Sequence, residues 1–235
     1  MREIVDVSIP KALHNLHTTR SPGDAVELLF GTSPSRQRIA DVLEGAGFET
    51  LKITSHGAGA HVESQVLPTL PDTVSSKMRM LLVGLNPSLH SVEAGYGFAG
   101  PGNRFWSAGT EAGLVSKDRD PLHALKHHQV GMSDLVKRAS TKAAVISDVE
   151  YQAGVARLDR LCGWLSPGIV CVLGITGWRS ALNDRTLQLG RQTTQLGGRT
   201  VYVLPNPSGL NAHTNHADLV KRLKELMKIA DISAS

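Results

Sequence analysis

Apolar runs and turn-forming residues alternate along the N-terminal part of the chain. Residues 26–30 form a short apolar run that predicts a buried strand, a helix is expected to follow, and residues 48–53 alternate as a strand does. Residues 1–25 are polar and are expected to be irregular, and residues 55–76, rich in Gly, Pro, Ser and His, resemble a linker. The pattern thus predicts a small β-α-β extension and linker over residues 1–75.

A second pattern, with more strongly apolar strands, begins near residue 78. Continuous apolar runs separated by helical patterns indicate a mostly parallel sheet that helices cover on both faces. We therefore expect an α/β fold, a three-layer sandwich with a mostly parallel central sheet, in a second domain over residues 76–235. The predicted strands lie at 80–83, 167–173 and 199–204, and the predicted helices lie at 104–113, from 177, and at about 216–229.

Polar turns follow two of the predicted strands, at residues 84–88 and 205–209. Ligands of such sheets bind at the carboxyl ends of the strands, and both turns are expected to face the same edge of the sheet. The sequence therefore predicts a site where these two turns meet.

Composition narrows the classes of protein only a little. The formal net charge of +4 suits a nucleic-acid partner but also many others. No apolar run approaches the roughly 20 residues that span a bilayer, and the charged N-terminus lacks a signal core, so a cytoplasmic protein with no membrane partner is expected. Cys162 and Cys171 are expected to be reduced, buried thiols, and two cysteines are too few for a four-thiolate cluster.

Three ordered sequence blocks carry the candidate chemistry. The first runs from Gly84-Leu-Asn-Pro-Ser to Asn-Arg-Phe-Trp106, the second is Gly131-Met-Ser-Asp-Leu-Val-Lys-Arg138, and the third is Val203-Leu-Pro-Asn-Pro-Ser-Gly-Leu210. Together they resemble the mismatch-specific uracil-DNA glycosylase family, the group that includes thymine-DNA glycosylase, over roughly residues 78 to 230. The resemblance implies a uracil-DNA glycosylase-like fold and a monomeric, monofunctional enzyme that needs no cofactor or metal. Its implied substrate is uracil, or a related damaged or mismatched pyrimidine, in double-stranded DNA.

The resemblance gives Asn86 the catalytic role of positioning the attacking water. An amide does not titrate near neutral pH, so it acts by orientation and not as a base. Orientation is enough if the glycosidic bond breaks first and leaves an oxocarbenium-like sugar. The structural alternative is that Asn86 only caps a turn.

The remaining site residues fall into two groups. Phe98 corresponds to the aromatic that stacks on the flipped base, and Leu210 to the wedge that fills the gap in the duplex. Asn103 has a second interpretation as a helix cap, and Phe105 and Trp106 are expected to be core anchors. The base-binding group is Leu85, Phe98, Ala99 and Asn103, and the DNA-binding group is Ser91, Asn206, Ser208, Gly209, Leu210 and His213.

Several positions depart from the family pattern. Ser88 stands where the family often has Gly, and Ala212 stands where a bacterial relative has an Arg near the opposing guanine. A preference for guanine opposite the lesion is therefore left open, with His213 as a substitute contact or a phosphate ligand. The histidines at 123, 127 and 128 are expected to form a solvated helix face and not a metal site. Lys137, Arg138 and Lys142 form either a phosphate-binding rim or ordinary surface charge.

Two other functions remain open at this point. A glycosylase fold that binds damaged DNA without turning it over would bind tightly and salt-sensitively but release no base. A hydrolase of free nucleosides would act on uridine as readily as on uracil in DNA.

Overall fold

The computed structural model describes residues 2–5, 9–31, 34–57, 59–211 and 214–234. Residues before position 67 build a four-stranded sheet in the order β1-β2-β4-β3, in which β1 and β2 are parallel and the other pairs are antiparallel. Two helices accompany this sheet. The elements are β1 Arg2–Val5, α1 Ile9–Thr18, β2 Ala25–Phe30, α2 Arg36–Gly45, β3 Phe48–His56 and β4 Gly59–Val66.

The second sheet has five strands in the order β6-β5-β7-β9-β8, of which only β8 is antiparallel to its neighbour. Its strands are β5 Met80–Gly84, β6 Val130–Asp134, β7 Ile169–Leu173, β8 Gly190–Leu196 and β9 Arg199–Leu204. Its helices are α3 Leu89–Ala94, α4 Phe105–Ala112, α5 Pro121–His128, α6 Asp148–Leu165, α7 Ile175–Leu182 and α8 His216–Ala234, with a short 3-10 turn at Ala143–Val145.

Helices cover both faces of the second sheet. On one face Leu161 of α6 and Trp178 of α7 are buried, and on the other Phe105 of α4 and Leu219 of α8 are buried. Every residue of β5 and of β7 is buried, as strands between two helical layers require. The predicted three-layer α/β fold with a mostly parallel central sheet is confirmed.

Two expectations for the N-terminal part are wrong. Residues 9–18 form α1, whose apolar stripe Leu13 and Leu16 is buried, so residues 1–25 are not irregular throughout. The supposed linker contains β4, which alternates between buried and half-buried positions and pairs with β2 and β3. Its small and polar residues concealed that alternation. The extension is thus a mixed four-stranded sheet with two helices, larger than the predicted β-α-β unit.

The N-terminal sheet is fixed to the second one by specific contacts. Arg160 of α6 donates two hydrogen bonds to the buried carboxylate of Asp41, at 2.7 and 2.8 Å. The guanidinium of Arg38 lies 4.5 Å from the ring centre of Trp164. Thr73 forms an antiparallel bridge with Met132 of the edge strand β6. The segment after β4 therefore packs on the second sheet.

Asp72, in the segment after β4, belongs to a network of buried charged side chains. Asp72 accepts hydrogen bonds from Lys137 at 2.8 Å, Arg157 at 3.1 Å and Ser133 at 2.8 Å. Burial alone would raise the pKa of Asp72, but the two cations hold that pKa below its usual value. Lys137 is itself buried, so neither of its two interpretations, a phosphate-binding rim or ordinary surface charge, is correct.

The structure bears on two expectations from composition. Cys162 and Cys171 are buried free thiols, as expected, and burial raises the pKa of Cys162 to about 12. Within the described ranges, no helix is long and apolar enough to cross a membrane.

Candidate active site

A cleft of about 1010 Å³ lies at the carboxyl edge of the second sheet. The turn after β5, which contains Asn86, and the turn after β9, which contains Asn206, both line it. The predicted convergence of these two turns is therefore confirmed. Asp134 at the end of β6 and Ile175 after β7 also line this cleft.

Asn86 is held by its amide nitrogen. That nitrogen donates to the carbonyl oxygens of Pro87 at 3.2 Å and Arg138 at 3.1 Å, and to the hydroxyl oxygen of Ser140 at 2.7 Å. The Ser140 hydroxyl in turn donates to the carbonyl of Lys142 at 2.9 Å, so it faces Asn86 as an acceptor. Carbonyl oxygens only accept hydrogen bonds, which fixes the orientation of the amide.

This orientation leaves the side-chain oxygen of Asn86 as an open acceptor. It makes no hydrogen bond with any residue that the structure describes, and Asn86 is half-buried in the cleft wall. An acceptor fixed in this way can bind a water hydrogen and turn the water's lone pair into the cleft. Ser140 is thus a supporting residue that the sequence analysis did not single out.

Backbone hydrogen bonds fix the turn that carries Asn86. The N–H groups of Leu135 and Val136 donate to the carbonyls of Gly84 and Leu85 at 2.9 and 3.0 Å. The side chain of Leu85 is buried and fills the space beside Gly174 and Gly177, where any Cβ would crowd it. Any contact between Leu85 and a base would therefore involve its backbone.

Phe98 lies in the cleft wall with an unusual backbone. Its φ of +62° is in the left-handed region, where a non-glycine residue costs about 1–3 kcal/mol. Its ring packs 4.4 Å from the ring of Phe105, which is fully buried. Trp106, buried as predicted, donates its indole N–H to the carbonyl of Gly97 at 2.8 Å. The surrounding contacts thus hold a strained loop so that an aromatic side chain lines the cleft.

Ser91 and Ala99 stabilise this loop from inside. The Ser91 hydroxyl lies 3.0 Å from the Ser88 hydroxyl and accepts the Ala99 N–H at 3.3 Å. Ser91 is buried, so in this structure its side chain supports the loop, and a direct DNA contact remains a prediction. Ala99 is half-buried between Phe98 and Gly100, both of which line the cleft while Ala99 does not. Ser88, which stands where the family often has Gly, has a structural role here because its side chain caps α3.

Asn103 has the structural role that the sequence allowed for it. Its side-chain oxygen accepts the N–H of Phe105 at 2.9 Å, at the start of α4. Asn103 also lines the cleft, so the cap and a base contact are compatible.

The loop after β9 is tied to the rest of the site by Arg104. Its guanidinium donates to the carbonyls of Ser208 at 2.9 Å and Asn211 at 2.8 Å. Gly209 lies close to the backbone of Gly102, because a Cβ on residue 209 would be only 2.9 Å from the carbonyl oxygen of Gly102. The local sequence pattern did not predict this role of Arg104.

Leu210 projects from the loop that Arg104 holds. It is 88% exposed, as a wedge that enters DNA must be. The Asn206 side chain accepts the Ser208 N–H at 2.9 Å, and both residues line the cleft. His213 and Ala212 lie outside the described residues.

Asp134 is a half-buried residue of the cleft, with its side chain 17% exposed, that the sequence analysis gave no role. Its Oδ2 lies 3.8 Å from the ammonium nitrogen of Lys137. Its Oδ1 lies so close to Gly84 that any Cβ there would collide with it, and this oxygen accepts no hydrogen bond from a described residue. Burial raises the pKa of Asp134 to about 6, assisted by Asp72 and opposed by Lys137 and Arg157. The cleft therefore contains an acid whose pKa is raised above its ordinary value.

The other basic residues singled out in the sequence differ in exposure and in their ion pairs. Arg138 is paired with Glu150 at 2.6 Å, so its charge is already engaged, whereas Lys142 is exposed and lines the cleft. His123 and His127 stack 4.3 Å apart on α5. In the described part of the chain, no cluster of His, Cys, Asp or Glu is arranged to hold a metal ion.

A comparison with protein families matches this architecture. The family model of the uracil DNA glycosylase superfamily matches residues 71–228. That range contains the second sheet, the turns around Asn86 and Leu210, and Asp134. The match covers more than half of the chain, which therefore belongs to the uracil DNA glycosylase superfamily, whose members are hydrolases acting on DNA.

Proposed function

We propose that this protein is a monofunctional, mismatch-specific glycosylase that removes uracil, or a related damaged or mismatched pyrimidine, from double-stranded DNA. The observation that carries the proposal is the fixed amide of Asn86, whose side-chain oxygen is an open acceptor in a cleft that Phe98 also lines. A glycosylase needs a place for the extruded base and a positioned water.

The geometry supports a stepwise mechanism. The target nucleotide rotates out of the duplex, Phe98 stacks on its base, and Leu210 fills the gap. The C1′–N bond breaks first, and its electron pair leaves with the base. A water that donates a hydrogen bond to Asn86 then forms the new C1′–O bond, and its proton passes to the departing base or to solvent. Asn86 changes the orientation of the water and not its pKa.

Asp134 gives this reaction an expected pH dependence. A carboxylate beside the departing base opposes its negative charge, whereas a protonated carboxyl can donate a hydrogen bond to it. Because the folded-state pKa of Asp134 is raised to about 6, the protonated form accumulates as the pH falls through that value. We expect the single-turnover rate of base release to rise as the pH falls from about 8 to about 5.

Asp134→Asn is the matched variant, since an amide is neutral at every pH in this range. Its rate should be nearly independent of pH and should exceed the wild-type rate at pH 8. If the variant and the wild type keep the same slope between pH 5 and 8, Asp134 does not act on the departing base.

Leu210 should matter only in duplex DNA. Unstacking a base step costs a few kcal/mol, and the wedge offsets part of that cost. Leu210→Ala is therefore expected to slow base release from a uracil-containing duplex about tenfold or more. The same uracil in a single strand is the control, and its release should be unaffected. Equal losses on both substrates would contradict the wedge role.

The proposed activity is tested with a panel of duplexes that carry uracil, thymine or ethenocytosine, each opposite guanine and opposite adenine. Free base should be released from at least one of them while the strand stays intact. Strand cleavage would overturn the monofunctional assignment and would implicate Lys142, the one lysine among the described residues that line the cleft. Release from free deoxyuridine at a comparable rate would favour a nucleoside hydrolase.

A further inference from the structure

The cleft extends beyond the family domain onto the N-terminal part of the chain. Three residues of α1 line it together with Asn86: His14, Asn15 and Thr18. Asn15 and Thr18 are exposed, and both lie on the face of α1 opposite the buried Leu13 and Leu16. The family match begins only at residue 71, so α1 adds a wall that this match does not include.

The α1 wall is held in a fixed position. His14 Nδ1 donates to the carbonyl of Asp72 at 3.1 Å, because a carbonyl can only accept, and His17 Nε2 lies 3.0 Å from the carbonyl of Leu67. Both carbonyls belong to the segment that runs beside the edge strand β6. A wall anchored in this way can contact a ligand without first having to be ordered.

The strand order places α1 and Leu210 at opposite ends of the cleft. Leu210 follows β9, and β6 is separated from β9 by three strand spacings, or about 14 Å. The α1 helix is hydrogen-bonded to the carbonyl of Asp72, next to Thr73, which pairs with Met132 of β6. This distance corresponds to about four base-pair steps of 3.4 Å, so a duplex lying along the cleft reaches α1 several steps from the wedge.

The chemistry of the α1 wall suits a phosphate backbone. The helix contains no acidic residue, and the exposed Asn15 amide carries donors of the kind that contact phosphate oxygens without reading sequence. The neighbouring Thr18 hydroxyl donates to the carbonyl of Asn15 at 3.0 Å. Lys142, exposed and without an ion pair to any described residue, lines the same cleft. We infer that α1 is a second DNA-binding surface that contacts the phosphate backbone about four base-pair steps from the flipped nucleotide. The inference rests on the proposed function for its choice of DNA as ligand.

Opposite charge changes at Asn15 and Thr18 test this inference. In the full-length protein, the double variant Asn15→Asp/Thr18→Asp should bind duplex DNA about tenfold more weakly, and Asn15→Lys/Thr18→Lys about tenfold more tightly. The factor should be the same for undamaged and uracil-containing duplexes, and both effects should shrink as salt is raised. The controls are Thr193→Asp and Thr193→Lys on β8, because Thr193 is exposed and does not line the cleft.

Each pattern of binding by these variants supports or contradicts a DNA-binding role of α1. If both double variants weaken binding, the residues are only structural, and if neither differs from its Thr193 control, α1 does not contact DNA. An effect confined to the uracil duplex would mean that α1 contacts the base, which also overturns the inference. If the wild type binds duplex DNA but releases no base from it, the proposed activity fails while the binding comparison still decides the role of α1.

Discussion

Replacing Asn86 with alanine is expected to slow base release at least about a hundredfold while leaving the binding of duplex DNA intact. The reason is geometric. The amide donates to Arg138, Pro87 and Ser140, and these bonds fix the direction of the side-chain oxygen that holds the water. Alanine leaves the turn in place, because backbone bonds from Leu135 and Ser140 hold it. The measurement is the single-turnover rate on a uracil-containing duplex, together with binding of the same duplex.

Ser140→Ala is the graded companion to this variant. It removes one of three acceptors that orient the amide, so a loss of about tenfold, smaller than that of Asn86→Ala, is expected. A ranking in which Ser140→Ala is the more damaging variant would show that orientation of the amide is not what matters. Wild-type activity in Asn86→Ala would remove the catalytic assignment of Asn86 altogether.

Asp72→Ala is expected to lower the free energy of unfolding by about 3–5 kcal/mol. It removes the carboxylate that pairs with Lys137 and Arg157, whose side chains are 4% and 1% exposed. Both cations would then be buried without their principal partner. Urea denaturation, with the midpoint and the slope fitted separately, measures the change.

The control for this prediction is Glu63→Ala, which removes an ion pair at the surface. Glu63 lies 3.5 Å from Lys52, and the two side chains are 45% and 61% exposed. Solvent screens such a pair, so a loss below about 1 kcal/mol is expected. Equal losses for Asp72→Ala and Glu63→Ala would contradict the importance assigned to burial. A loss at Asp72 should also disturb the cleft, because Arg157 binds the backbone carbonyl of Asp134 at 2.8 Å.

The sequence predicted the position of the cleft because that position depends on local chemistry. Polar turns directly after two apolar strands are visible in the chain itself, and parallel strands bring their carboxyl ends together. Asn86 and Asn206 therefore meet as expected. Asp134, Ser140 and Arg104 were missed because their roles depend on packing between distant segments, which no local pattern reveals.

The N-terminal part was predicted less well for a related reason. The alternation of β4 is formed by Ala60, Val62, Ser64 and Val66, in which a buried serine weakens the apolar signal. That serine is tolerated because its hydroxyl donates to the carbonyl of Val26 at 3.1 Å. The partner that makes the pattern a strand lies 38 residues away in the chain.

A sequence motif identifies the residues of a site but not whether each side chain is exposed to a ligand. Leu85 and Ser91 fall within the matching block, yet both side chains are buried. A motif records which residue types occur at a turn, but it does not distinguish a side chain that contacts a ligand from one that supports the loop. Phe98 and Leu210 are different, because Phe98 is only half-buried and Leu210 is 88% exposed.

The most direct test of the account is the fate of a duplex carrying one uracil opposite guanine, incubated with excess wild-type protein. Free uracil and abasic sites should be quantified together in a single turnover. Equal amounts of both are predicted, with the strand intact and with base release at least about a hundredfold slower in Asn86→Ala. Tight, salt-sensitive binding without release of any base from this duplex or from the wider panel would contradict it, and would make the protein a non-catalytic binder of damaged DNA.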